Sequence, residues 1–353
     1  MRRGPRRSPR RRVAREHRRR PPVPAGQPVR DDGARVELGA GLVALQAPDR
    51  DGRFEDVVLG FDTVEEYRDN ARLHFSATIG RVAGRIRDAR FTLDGQLVLL
   101  PANQGRHHLH GGSVSPFDQV DWAAVAVATP DGPSVRLSRV SPDGEEGYPG
   151  ELSVSVVYVL TPADELRIEY QATTDRTTPL SMTNHTYWNL AGAGSPTILD
   201  HELQVFADRY TPVDADLLPV GTVESVEGTP LDFQEPRIVG DRIAELEPTG
   251  TGGYDNNFVL PGTGDRLAAR LRHPASGRVL EVRTTQPCMN VYSGNMMAPS
   301  VGKMGRAYPA RSGICLEPGG YLDAVNIPAF EPVWLHPGQT YRQSITFRLT
   351  TDR

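Results

Sequence analysis

The spacing of turn signals constrains this chain most. From about residue 34 onward, short apolar runs are broken by turn dipeptides roughly every 8–12 residues. Phe91–Leu99 is two runs around Asp94-Gly95, and Val125–Val140 repeats the form around Asp131-Gly132. Leu152–Tyr158 turns at Pro162-Ala163-Asp164 and returns as Leu166–Tyr170. Leu267–Leu271 and Val279–Val282 flank His273–Gly277, and Tyr341–Leu349 alternates at the end. Gly (35) and Pro (30) are frequent enough to supply these turns. Helical signals are few, with Thr63–Arg68 as one candidate turn. The pattern predicts an all-β, antiparallel sandwich. No Pro/Ser-rich linker divides residues 34–350, so one large domain is expected over residues 31–353.

Residues 1–30 read differently. The first twenty hold eleven arginines and one glutamate, a formal +10. The whole chain carries −4, which leaves −14 for the remainder. Arg10-Arg11-Arg12 and Arg18-Arg19-Arg20 repel one another, and Pro21-Pro22-Val23-Pro24 blocks a helix. A disordered tail is expected. It is the one feature that would favour a nucleic-acid partner, and it has no aromatic residues for that task. No apolar run approaches the roughly 18 residues of a membrane span. Two cysteines, Cys288 and Cys315, cannot build a disulfide framework, and a cytoplasmic setting follows as the expectation.

Five polar segments interrupt apolar strands with groups that are costly to bury. In Gly80–Ile86, Arg81 and Arg85 stand four apart, which predicts one shared side if the chain is extended. His107-His108-Leu109-His110-Gly111-Gly112 puts His108 and His110 on one face beside a glycine turn. That invites a metal reading, but no cysteine or carboxylate follows at ligand spacing, so hydrogen-bonding imidazoles are expected instead. In Thr183–Asn189, an extended chain points Thr183, His185, Tyr187 and Asn189 one way. Such a stripe suits a sugar, with hydroxyls at its edge and C–H groups on its face. Gly252–Asn257 reads as a turn carrying Asp255. Glu317 ends the apolar run Gly313–Leu316, where desolvation should raise its pKa toward a general-base range. Gln286 stands at another strand end.

Taken in order, these segments resemble the aldose 1-epimerases, the galactose mutarotase family. The matching stretches include Asp56–Asp62 with Glu66-Tyr67, Ala77–Arg81 through Arg85-Ile86, and Leu109–Gly112. They continue with Gly144–Gly150, Thr183–Leu190, Gly253–Asp255, Thr284–Pro287, Tyr292–Asn295, Cys315–Glu317 and Asp323–Asn326. The resemblance covers about residues 34–350. It implies a large antiparallel β-supersandwich with a sugar in an open cleft. His185 matches the general acid and Glu317 the general base. Arg85, His110, Tyr187, Asp255 and Gln286 match sugar-binding positions. No metal or organic cofactor is implied. The implied reaction interconverts α and β anomers of hexoses such as glucose or galactose, in a monomer or homodimer.

The sequence departs from the family pattern in four places. Gly84 stands where asparagine is usual, Pro318-Gly319-Gly320 follows the glutamate, Asn256 follows Asp255, and the usual first strand gives way to the tail. Three other readings compete. One is a sugar sensor without catalysis. A second is an epimerase of phosphorylated hexoses, with Arg81 and Arg85 as phosphate ligands. The third is a glycoside hydrolase using Asp255 with Glu317.

Overall fold

The computed structural model describes residues 37–352. The basic tail and the missing first strand therefore lie outside the described residues. Every expected hairpin forms. Arg90–Leu93 pairs with Gln96–Leu99, and Ala123–Thr129 with Gly132–Ser141. Leu152–Leu160 pairs with Glu165–Thr174, and Arg266–Arg272 with Arg278–Thr284. Asp94 and Gly95 both have positive φ (50° and 75°), the geometry a two-residue hairpin turn demands. The α-helix Val64–Asp69 starts where Thr63 and Glu66 form a capping box.

Two antiparallel sheets carry the architecture. The large one has nine strands. Its centre runs through Arg278–Thr284, Tyr341–Thr351, Glu165–Thr174 and Leu152–Leu160. The small one has six strands, in the order Tyr187–Trp188, Ile314–Gly319, Cys288–Tyr292, Asp255–Val259, Arg209–Thr211 and Glu224–Ser225. One apolar core joins them. Val154, Val156, Ile168, Leu280, Val282 and Phe347 from the large sheet meet Trp188, Phe258, Met289, Val291, Ile314 and Leu316 from the small one. Each such side chain contributes about 1.5–3 kcal/mol when fully buried.

Strand alternation then decides what the small sheet's other face carries. Ile314 and Leu316 point into the core, so Cys315 and Glu317 point away from it. Met289 and Val291 likewise leave Asn290 and Tyr292 opposite. Polar groups thus share one face without interrupting the core beneath.

The expectation that Arg81 and Arg85 share a side fails. Gly84, at φ 78°, breaks the extended chain between them. Arg81 turns inward and is about 1% exposed. Its guanidinium donates to the carbonyls of Ser141, Pro142, Pro149 and Gly150 and to the hydroxyls of Ser141 and Thr178, at 2.8–3.2 Å. Burial lowers its pKa to about 10, so it stays charged at neutral pH. Arg81 is a clamp on the 141–150 loop and has no donors left for a phosphate. Arg81→Met should strand several carbonyls and cost about 3 kcal/mol or more. A urea midpoint equal to that of the parent protein would contradict this.

Candidate active site

Two cross-strand rows on the small sheet's outer face build the floor of the site. Register places Tyr187, Cys315, Tyr292 and Asp255 side by side, and Glu317 opposite Asn290. The amide of Asn290 donates to Asp255 Oδ1 at 3.1 Å. Arg85 comes from the short strand Arg85–Ile86, which pairs with His108–Leu109. Its Nη1 lies 3.8 Å from Asp255 Oδ2, and its Nε donates to Gln104 Oε1 at 2.6 Å.

His185 enters from a loop held at both ends. Before it, Thr183–Asn184 pairs with Thr78–Ile79; after it, Tyr187–Trp188 pairs with Ile314-Cys315. The His185 N–H donates to the Ala77 carbonyl, and the Ser76 N–H donates to the His185 carbonyl, each at 2.9 Å. The ring therefore has little freedom. It stacks on Tyr187 with centroids 5.1 Å apart, and its Nε2 lies 3.7 Å from Glu317 Oε2. Its Nδ1 faces the Cys315 thiol at 3.5 Å.

The four-residue stripe expected over Thr183–Asn189 is broken by this change of pairing partner. His185 and Tyr187 face the site. The Asn189 amide instead donates to the carbonyls of Ser195 and Ser312. The Thr183 hydroxyl is buried and without a hydrogen bond. The histidines of 107–110 also part company. The His107 ring accepts from the Asp88 N–H. His108 Nδ1 bonds the Pro101 carbonyl and its Nε2 the Tyr148 hydroxyl, each at 2.8 Å. His110 alone turns to His185, at 5.4 Å between ring centroids. Gly111 makes this turn possible, since a Cβ there would collide with the Gly80 carbonyl. Gln286 is buried, and its amide donates to the Met182 carbonyl (3.3 Å) and the Tyr341 hydroxyl (3.0 Å). None of its hydrogen bonds joins it to the His185–Glu317 pair.

Burial dominates the electrostatics. It raises Glu317 to about 8, helped by the like charge of Asp255 and opposed by Asn290 and Arg85. It lowers His185 to about 3, helped by His74. The empty site at neutral pH therefore holds one exchangeable proton on the carboxyl, facing a neutral imidazole. Burial holds His110 well below the ordinary histidine range. The Gly84 N–H donates to His110 Nδ1 at 3.2 Å, so the ring proton sits on Nε2 as a neutral donor. His185, Cys315 and Glu317 set three metal-type donors within 4.8 Å of one another. Burial pushes the Cys315 thiol well up, so both it and Glu317 stay protonated at neutral pH. That suits moving a proton better than holding a cation.

Sequence reasoning missed four contributors. Asn290 was legible in principle, two residues before Tyr292 in an alternating strand. Gln104, His74 and Asp118 carry no signal, because each reaches the site or its edge from a loop through tertiary contacts. At Gly84, the place a side chain would take is filled by Leu322, so this wall of the cleft is apolar.

The raised pKa of Glu317 makes a stability prediction. The folded carboxyl keeps its proton up to about 8, whereas the unfolded one ionises near 4.5. Its contribution is complete below pH 4.5 and is lost as pH rises through about 8. Glutamine imitates the protonated acid. Glu317→Gln should melt above the parent protein, with the gap widening between about pH 5 and about pH 8. A gap that is constant or reversed would show that the carboxyl is not held protonated.

Known proteins match this chain along most of its length. The family model for aldose 1-epimerase covers residues 34–348. Bovine galactose mutarotase is 46% identical over 327 residues, 91% of this chain and 93% of the relative. The aldose 1-epimerase of Escherichia coli K12 is 36% identical over 344 residues, 94% and 98% of the two chains. The crystal structure of an aldose epimerase homologue from C. elegans superposes with a TM-score of 0.81 at 32% identity, covering 90% of this chain and 94% of that one. That of a galactose 1-epimerase from Lactobacillus acidophilus gives 0.76 at 27% identity, covering 90% of each. The floor of paired strands, the imidazole set against a buried carboxyl and these matches agree: the chain belongs to the aldose 1-epimerase family.

Proposed function

We propose that this protein is a mutarotase, interconverting α and β anomers of a hexose such as glucose or galactose by acid/base ring opening. The observation that carries the reading is the 3.7 Å approach of His185 Nε2 to Glu317 Oε2 between two buried side chains. A hemiacetal offers two oxygens on one carbon, O1 with its proton and the ring oxygen O5. The pair spans both.

In the forward step, Glu317 removes the O1 proton while His185, carrying the shared proton, delivers it to O5. The C1–O5 bond breaks and C1 becomes a carbonyl. Rotation about C1–C2 turns the other carbonyl face toward O5. His185 takes back the O5 proton as O5 attacks, and Glu317 returns its proton to O1. The site ends as it began. The pair shares one proton, so one partner is always an acid and the other a base. The roles just given belong to the state with that proton on His185; the empty site keeps it on Glu317. Two such groups titrate as a unit.

The other residues hold the sugar. His110 Nε2–H and Arg85 donate to oxygen where negative charge develops. Asp255 accepts from a hydroxyl, Tyr187 offers its ring, and Gln286 offers its amide oxygen to a hydroxyl. Two buried free cysteines suit a reducing compartment, so we assign the enzyme to the cytoplasm, as a monomer or homodimer.

Polarimetry of fresh α-glucose and α-galactose tests this directly. The protein should accelerate the approach to equilibrium for one or both. Glu317→Gln and His185→Asn should each lose about 10²–10⁴ in rate while sugar binding persists. Wild-type rates in both variants would remove the role assignment. Binding with no acceleration by the parent protein would leave a sensor.

A further inference from the structure

Cys315 meets the reacting imidazole and takes no part in the exchange just described. It stands two residues before Glu317 on the strand Ile314–Gly319, so both side chains leave the same face. The ring of His185 lies across them. Its Nδ1 is 3.5 Å from Cys315 Sγ, and its Nε2 is 3.7 Å from Glu317 Oε2. One strand thus supplies a neighbour for each ring nitrogen. Tyr187, the cross-strand partner of Cys315, stacks on the ring at an interplanar angle of 30°. With the ring's position set in this way, the next question is which nitrogen carries its hydrogen.

We propose that Cys315 is a positioning residue for the proton pair: its sulfur accepts a hydrogen bond from Nδ1–H of His185, which fixes the tautomer whose Nε2 is free to exchange protons. The inference rests on the mutarotase reading above.

A neutral imidazole has one hydrogen for two nitrogens. Burial keeps His185 neutral and Glu317 protonated at neutral pH, so a proton donor stands on the Nε2 side. An Nε2 that already carried the hydrogen would have no lone pair to take the carboxyl proton. The hydrogen therefore belongs on Nδ1. The residue's own carbonyl also favours a hydrogen on the ring, and Nδ1 is the nitrogen on the backbone side. Cys315 Sγ is within reach of Nδ1 as an acceptor. Sulfur suits this place for two reasons. A thiol is a weak donor, so it has little hold on the Nδ1 lone pair of the other tautomer. It is also un-ionised, since burial pushes it well up. A carboxylate in its place would fix the same tautomer, but its charge would hold the second proton on the imidazole. A neutral sulfur sets the tautomer and still lets the shared proton return to Glu317.

The test is the tautomer of His185, read without sugar at neutral pH by nitrogen–hydrogen correlation NMR on protein with isotope-labelled histidine. Its signals are identified by their loss in His185→Asn. The parent protein should carry the ring hydrogen on Nδ1. In Cys315→Ala part of the population should move to Nε2–H, and kcat for α-galactose mutarotation should fall about three- to tenfold with KM little changed. Cys315→Ser keeps an acceptor at the same position and should recover the Nδ1 tautomer and most of the lost rate. A parent ring hydrogen on Nε2 overturns the proposal. So does a Cys315→Ala protein that keeps the parent tautomer or the parent kcat, including one that loses rate through KM alone. A Cys315→Ser protein indistinguishable from Cys315→Ala also overturns it, because the sulfur would then supply packing and not an acceptor. Should Cys315→Ala fail to fold, the parent tautomer decides. A parent protein that never accelerates mutarotation defeats the mutarotase reading instead, while the tautomer still reports whether Cys315 holds the ring, which separates the two failures.

Discussion

A carboxyl group buried beside another carboxylate is the constraint on which this site depends. Glu317 stands on a sheet whose reverse side is hydrocarbon, with Asp255 two strands away across Cys288–Tyr292. No arginine or lysine among the described residues forms an ion pair with it; Arg85 approaches Asp255, to 3.8 Å. The cheapest state is the protonated one, and its proton is then available to whatever base comes near. The nearest base is His185. Desolvation that would be a defect in a structural glutamate is here the source of a proton of useful strength.

That carboxyl requires a rigid frame, because its acidity depends on staying dry. The frame is divided. The sheet fixes Glu317, Asn290, Tyr292 and Asp255 by strand register, so their spacing follows from backbone hydrogen bonds. Loops fix His185 and His110, the short strand Arg85–Ile86 carries Arg85, and each is tied by backbone contacts of its own. His185 is pinned between Ser76 and Ala77, and His110 is braced against Gly84. Arg81, a phosphate ligand in one of the competing sequence readings, braces the 141–150 loop through its carbonyls.

What was legible in the sequence follows the same division. Period-two alternation and Asp-Gly turns are local signals, so the hairpins, and the outward placing of Cys315 and Glu317, could be read before any coordinates. Loop residues obey no period. Arg81 and Arg85 look equivalent at a spacing of four, yet one positive φ at Gly84 sends them to opposite tasks. Thr183–Asn189 looks like one strand, but it joins two partners and turns between them. His74 and Asp118 lie 44 residues apart, and only the packed structure brings them together. The resemblance to a family supplied His110 and Gln286, for which spacing alone offered no role.

The burial of the pair also fits the stoichiometry of the proposed reaction. Anomerisation removes one proton from O1 and restores one to it, so each turnover leaves the enzyme's proton count unchanged. No path to bulk water is needed within the cycle, and a buried pair with a single shared proton suffices. Water enters the account once, when it sets the protonation of the empty enzyme.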